Sequence, residues 1–524
     1  MLLAMLSANV QGAAVFWVGF SSDFSDPLNW STFSFPGTGD QALISSAYAG
    51  TSSSVADYPG AYAINPIAEL WLGGNGGTGS LYQTSGTINV NNWVVVGQGY
   101  GGTNALPGGT GTLDLSGSAV FNHVAGGTGE THIAESSGGI TTTGTLNLSG
   151  NAIYNNNYNR LYVGLNTGAL GYVNISGTAT LNLNNEWHQL GFTGGVAQIT
   201  QNGGTVNHDM SDPPALDDGN GWSPNGHLII GGWGGSGTYN MNAGALNSSA
   251  YIVLSDADAG FNNTYGILNL SGGTLTAPGI QAGFAWDSGA PTTGKVNFNG
   301  GLVKPNLSNP DFIHAFSSSA TLTAVVQAGG ANIDTAGYNI GINVPLLDGG
   351  GGGGLVKMGL GSLKLNAINT YTGLTDVMTG SLGGSGTLAG AVKVESGARI
   401  APGDPATFTV GDITFNNGSY LDIALVAAVN DALNSTGTLT VGSNVALNVS
   451  LTIPVPGTYT ILDWVHKSGN FSVNLPDVSG YGDGSWTISY SETATNGIIT
   501  IVPEPATIVL LLMGALMLYW RRQR

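Results

Sequence analysis

In the segment Gly144-Thr145-Leu146-Asn147-Leu148-Ser149-Gly150, Leu146 and Leu148 alternate with Thr145 and Asn147. A period of two marks a strand with one buried face, and the Ser-Gly pair that follows turns the chain. Near-copies are Gly111-Thr112-Leu113-Asp114-Leu115-Ser116-Gly117, Gly171-Tyr172-Val173-Asn174-Ile175-Ser176-Gly177, Gly237-Thr238-Tyr239-Asn240-Met241, Gly266-Ile267-Leu268-Asn269-Leu270-Ser271-Gly272 and Gly294-Lys295-Val296-Asn297-Phe298, with weaker relatives at Gly79 and Gly195. A second apolar element follows each copy, as in Val94-Val95-Val96-Gly97, Leu161-Tyr162-Val163-Gly164, Leu228-Ile229-Ile230-Gly231 and Ile252-Val253-Leu254.

Successive copies lie about 24 to about 42 residues apart, so the unit is one supersecondary coil that hides its apolar side only against its neighbours. The pattern predicts an all-β fold, a parallel β-helix or β-solenoid, with equivalent residues about 4.8 Å apart along the stack. Leucines then pile on leucines inside, while Asp114, Asn147, Asn174, Asn240, Asn269 and Asn297 form an outer column. Stacked amides hydrogen-bond along such an array. The functional alternative is a flat polar face, with Thr112, Thr145 and Thr238 beside it, that meets the hydroxyls of an exopolysaccharide. Past the Ser-Gly corner the pattern leaves two inward faces open, Ala152 with Tyr154, or Ile153.

Composition narrows the partners more than it names them. Glycine supplies 86 of 524 residues without a collagen period, which fits turn-dense β structure. A formal charge of −19, from 11 basic and 30 acidic residues, argues against nucleic acid and anionic membrane surfaces. The absence of cysteine excludes a disulfide framework and thiol chemistry. The histidines show no metal-ligand spacing, so no catalytic, cofactor or metal residue is assigned. Asp209, Asp212, Asp217 and Asp218, with Asp256 and Asp258 one coil later, read as a solvated acidic loop or as oxygen ligands for Ca²⁺.

Residues 1–14 end in Gly12-Ala13-Ala14 and read as a signal peptide that lacks a basic start. Residues 15–66 form an N-terminal cap in which Trp17, Trp30 and Phe35 cover the open end of the stack. This opening, with Asn29-Trp30 and Pro36-Gly37, resembles that of many exported bacterial repeat proteins. The repeats occupy residues 67–303, and the stretch His208 to Asp218, with Pro213 and Pro214, is expected to loop out. Residues 304–354 are less regular and end in a glycine run that reads as a flexible joint. Residues 411–501 alternate again and form a C-terminal β segment.

Within residues 355–410, Leu355-Val356-Lys357-Met358-Gly359, Gly361-Ser362-Leu363-Lys364-Leu365, Asn369-Thr370-Tyr371-Thr372-Gly373 and Gly380-Ser381-Leu382 resemble the autotransporter-associated β-strand repeat. The likeness covers about a tenth of the chain and implies a parallel β-helix in a secreted passenger region.

The segment 502–524 carries Pro503-Glu504-Pro505, an apolar run to Trp520, and then Arg521-Arg522. The run is about 15 residues, or roughly 22 Å as a helix, short of the roughly 20 residues of a comfortable membrane span. The arginines would stay cytoplasmic and leave the rest of the chain outside the inner membrane. This pattern is similar to the PEP-CTERM sorting signal. The resemblance implies recognition by an exosortase-type enzyme in a Gram-negative bacterium, transient contact of the tail helix with the inner membrane, and release to the surface or the exopolysaccharide matrix. A barrel of alternating strands, as a true autotransporter requires, is not expected.

The expected function is therefore a non-enzymatic exported surface or matrix β-solenoid. The alternative is a carbohydrate-active β-helix enzyme, marked by a groove holding two carboxylates about 5 to 10 Å apart with a cation nearby.

Overall fold

The computed structural model describes residues 13–503, apart from 20, 50–54, 59–65, 100–106, 125–128, 158, 185, 210–225, 258–260, 262, 284–290, 404–405, 427–428, 453–454 and 479–485, and also residues 516 and 519. The chain divides into two compact units, residues 1–306 with 312–325, and residues 307–311 with 326–524. Strands dominate both, and nearly all pair in parallel with their equivalents one coil away, the arrangement of a β-solenoid.

In the first unit a coil has three strands. Thr142–Leu148, Ile153–Asn157 and Leu161–Leu165 make one such coil, between Thr110–Leu115, Val120–His123 and Thr131–Ser136 on one side and Ala169–Ile175, Thr180–Asn184 and His188–Phe192 on the other. Gly144 lies opposite Gly111 and Gly171, and Leu146 opposite Leu113 and Val173. Those leucines and the valine are buried, so the alternation seen in the sequence is the alternation between core and exterior. The corner after each first strand falls at Gly117, Gly150 and Gly177, with φ of +58°, +62° and +65°. A Cβ on Gly150 would sit 2.9 Å from the Gly117 nitrogen, so both the left-handed backbone and the close approach of the next coil demand glycine.

The open choice after this corner resolves toward Tyr154. It points inward and stacks on Phe121 with ring centroids 5.1 Å apart, while Ile153 lies on the outer side. The ladder also begins earlier than residue 67: Ala14–Phe16 pairs with Gln41–Ile44, which pairs with Glu69–Leu72. Trp17, Phe24 and Trp30 are fully buried against one another, with Trp17 and Trp30 edge to face at 5.2 Å. The stretch expected to loop out from His208 begins later, because His208 and Asp209 belong to the strand Val196–Asp209 and His208 faces the core.

In the second unit the coils are shorter. Leu355–Met358, Ser362–Leu365 and Ile368–Asn369 are followed by Thr375–Val377, Ser381–Gly383 and Thr387–Leu388, and then by Val392–Val394, Arg399–Ile400 and Thr407–Val410. The segment likened to the autotransporter-associated repeat thus folds as parallel coils. The glycine run before it is a tight turn and not a flexible joint. Gly350, Gly351 and Gly352 have φ of +79°, +82° and +71°, and a Cβ on Gly353 would meet the Gln327 carbonyl oxygen at 1.8 Å. Residues 304–354 are correspondingly more regular than their composition suggests, with strands at Asn309–Ala315, Ala320–Val326, Ala331–Asp334, Ile340–Ile342 and Leu346–Asp348.

The parallel order gives way near the end, where Asn496–Pro503 runs antiparallel to both Gly457–Ser468 and Trp486–Glu492. Among the described residues no helix is long and apolar enough to cross a membrane. The expected C-terminal helix lies outside the described residues except for Leu516 and Tyr519, which are helical and exposed. The expected signal peptide lies outside them up to residue 12.

Candidate functional site

The outward side chains of the first strands form the expected column, with one interruption. Asp114, Asn147 and Asn174 are successive partners, then Thr200, then Asn240, Asn269 and Asn297. Asn147 Nδ2 donates to Asp114 Oδ2 at 3.3 Å and Asn174 Nδ2 to Asn147 Oδ1 at 2.9 Å. Beyond the threonine, Asn269 donates to Asn240 and Asn297 to Asn269, each at 2.7 Å. A longer column stands on the second strands, where Asn122, Asn155, Asn182, Asn207 and Asn247 each donate to the asparagine before them, starting from Asn89, at 2.7 to 3.1 Å. Sequence reasoning missed this column because the inward face there was ambiguous. Each partly exposed amide in a ladder still has one N–H and one oxygen lone pair to spare, whereas Asn297 at the end of the first column is buried.

The third strands carry a different face. Every glutamate within residues 1–325, namely Glu69, Glu130, Glu135 and Glu186, lies on it. The central outward positions include Val95, Ile229 and Val253, all buried, so an apolar sheet surface is covered here instead of meeting water. Aromatic rings in and beside this central column supply the cover. Trp93, His132, Tyr162, Phe192, Trp233 and Phe261 follow one another at centroid distances of 5.0 to 5.5 Å. A second row, Trp187, His227 and Tyr251, continues at 6.3 and 6.2 Å.

Charge on this face is held in ion pairs. His132 Nε2 meets Glu130 at 3.0 Å and its Nδ1 meets Glu135 at 3.1 Å. Burial alone would pull the imidazole down, but the two carboxylates outweigh it and raise its pKa to about 9. Glu135 is held below the usual carboxylate range because His132 outweighs the opposing effect of burial. Arg160 lies 3.5 Å from both Glu130 and Glu186. Glu69 accepts from Trp71 Nε1 at 2.9 Å, from Asn92 Nδ2 at 3.1 Å and from Gln41 Nε2.

Other histidines sit in the core. His123 Nδ1 lies 2.8 Å from Thr131 Oγ1 and 3.1 Å from Asn156 Oδ1, and His208 Nδ1 lies 2.7 Å from Ser248 Oγ. Burial pushes His123 down to about 4 and His208 to about 3, and holds His188 well below its ordinary value.

The second unit has a groove of about 480 Å³ lined by Lys364, Arg399, Asp422, Asp431 and Asn448 among others. Its two carboxylates and two cations are the combination expected of the enzyme reading. Asp422, however, accepts from Arg399 at 2.8 Å and from Asn448 at 2.7 Å. Asp431 accepts the backbone N–H groups of Ala424 and Ala406 at 3.1 and 3.4 Å.

Asp209 ends a second strand and Asp256 a third, so the fold does not bring these two members of the acidic set together. Asp212, Asp217, Asp218 and Asp258 lie outside the described residues, among which no cluster of three metal-binding side chains occurs.

Of the expected sorting residues, Pro503 ends the last strand, while Glu504, Pro505, Arg521 and Arg522 lie outside the described residues. No curated protein and no solved structure matches the chain. A family model described as the PEP-CTERM protein-sorting motif matches residues 502–523. The protein therefore carries a PEP-CTERM sorting motif behind a β-solenoid, and is an exported protein whose tail is recognised by an exosortase.

Proposed function

We propose that this protein is a non-enzymatic structural or adhesive β-solenoid of the cell surface or extracellular matrix of a Gram-negative bacterium, whose amide columns contact exopolysaccharide. Its tail would dwell at the inner membrane until the sorting enzyme acts. The observation that carries the reading is the run from Asn89 to Asn247, which repeats one donor and one acceptor at every coil. A polymer of hydroxyl-bearing units is matched by such a repeat at many weak points at once.

The carboxylates of the aromatic face and of the groove in the second unit speak against the enzyme reading. Glycoside hydrolysis needs one carboxylic acid whose pKa is raised so that it can protonate the leaving oxygen. Glu135 is shifted the other way by His132, and Asp422 is tied to Arg399. Replacing Asn147, Asn174 and Asn269 in one column, together with Asn122, Asn155 and Asn182 in the other, by Ala should reduce retention on purified exopolysaccharide by about tenfold with the fold intact. Unchanged retention removes the amide wall from the account, and turnover of an acidic polysaccharide by the purified protein would replace the reading with the enzymatic one.

A further inference from the structure

We propose that the aromatic face of the first unit binds an extended, uncharged polysaccharide laid along the direction in which the coils stack. The inference rests on the surface or matrix reading above and deepens it by naming a site and a class of ligand.

Sugar rings offer apolar C–H faces and a rim of hydroxyls. A surface that recognises them needs flat apolar side chains with hydrogen-bonding groups set between them. Here the rings recur once per coil at 5.0 to 5.5 Å, a pitch on the scale of one monosaccharide. Trp93, Trp187, Phe192 and Trp233 are partly exposed, so they are not closed off as core residues are. In the second row, interplanar angles of 71° and 70° keep the rings from covering both faces of one another as a parallel stack would.

Polar atoms at the same place are left over. Gln189 lies between Tyr162 and Ile229 in the central column, and its Oε1 has no hydrogen-bond partner although it is buried. Trp233 Nε1 is in the same condition. One acceptor and one donor thus remain unpartnered just beneath a surface lined by aromatic rings, within reach of a ligand once their side chains turn outward, and buried polar groups are seldom left so. Sugar hydroxyls supply both partners. Charge selects the class. Glu130, Glu135 and Glu186 are paired with protonated His132 and Arg160 and Glu69 meets only neutral donors, so the face is mildly anionic on a chain of formal charge −19. Uronate-rich polymers are repelled, and an uncharged chain is not.

The test is affinity electrophoresis of the full chain in gels holding hydroxyethylcellulose or polygalacturonate. The unaltered protein should be retarded by hydroxyethylcellulose and not by polygalacturonate. The Trp187→Ala/Trp233→Ala variant should lose about tenfold in affinity with the fold intact, whereas the Asn147, Asn174 and Asn269 triple variant should keep its affinity. Gln189→Leu preserves packing volume while removing the acceptor, and should lose several-fold even if the tryptophan variant fails to fold. Unaltered affinity in Gln189→Leu, preference for polygalacturonate, or no retardation by hydroxyethylcellulose overturns the proposal. A tryptophan variant that only shifts the protein from dimer to monomer also overturns it, because the face then serves a second copy. If matrix retention depends on the amide columns alone, this inference fails and the broader reading stands. If it depends on neither face, both fail.

Discussion

Residues 110–192 of the first unit and residues 355–415 of the second build the same kind of coil at two sizes. Leu113, Leu146 and Val173 are equivalent positions 33 and 27 residues apart, whereas Leu363, Leu382 and Ile400 are 19 and 18 apart. The wide coil encloses more volume per rung and fills it with large or polar side chains, including Phe121, Tyr154, Asn156, His123, His188 and His208. The narrow coil buries Leu363, Leu382, Val394 and Ile400 together with Tyr371, Phe408 and Phe415, but among its described residues it buries no histidine, and its buried cation is Lys357. The Lys357 stem lies in the core, and its Nζ donates to Thr335 Oγ1 and to the carbonyls of Met358, Gly359 and Thr379 at 2.7 to 3.0 Å. Burial draws its pKa down to about 8, so it stays mostly protonated at neutral pH. The two interiors therefore hold different titratable groups, and this sets different weak points in the two units.

Acid should separate them most. His123, His208 and His227 titrate in the fold at about 4, 3 and 4, and His188 also lies low, all through burial. In the unfolded chain these groups titrate near 6.5. Because the folded values are the lower ones, the stability tied to neutral imidazoles is complete above about pH 6.5 and is lost as pH falls toward 4 and 3. His123, His208 and His227 are each worth on the order of 3 kcal/mol when fully expressed. Hydrogen exchange resolved along the chain should show residues 120–210 losing protection near pH 4.5 while residues 355–415 keep it. Equal loss in both would show that the buried imidazoles do not govern acid response.

The next largest effect belongs to the narrow coil. Lys357→Met keeps the stem and removes the donors, leaving the Gly359 and Thr379 carbonyls short of a partner while Thr335 Oγ1 and the Met358 carbonyl keep each other. The expected cost is about 3 kcal/mol, read as a fall in the urea midpoint of the second unit with the first unchanged. A shift under about 0.5 kcal/mol would mean that other groups satisfy those carbonyls.

The smallest effect lies on the exterior of the wide coil. Asn155 donates to Asn122 and accepts from Asn182, so Asn155→Ala removes two ladder bonds near the middle of the unbroken column. A loss of about 1 kcal/mol in urea unfolding is expected. No loss would leave the amide columns free of any part in stability.

The stacking was legible in the chain because Leu146 and Leu148 alternate with polar neighbours and Gly150 marks the corner. The column from Asp114 to Asn297 was legible for the same reason, but its break was not, since Thr200 belongs to one of the weaker repeats. Tyr154 and Asn156 were ambiguous because a wide core accepts polar side chains that hydropathy assigns outward. The aromatic face was hidden more thoroughly. Leu161, Tyr162 and Val163 are all buried, so a strand with both sides covered shows no alternation, and the rings that cover it come one per coil. The signal that could have revealed it is the gathering of Glu69, Glu130, Glu135 and Glu186 beside the same element of each repeat. The glycines from Gly349 to Gly354 misled in the opposite direction, since composition alone does not distinguish a tether from a tight turn.

The final strand has a bearing on maturation. Pro503 pairs with Trp486 on the last rung, and the matched sorting motif starts at residue 502. The folded scaffold and the matched sorting motif thus meet with no residues between them. Were the tail cut beyond Pro503, the closing hairpin would be spared, whereas a cut a few residues upstream would strip its edge. The stability of any processed form would therefore hinge on the position of the cut.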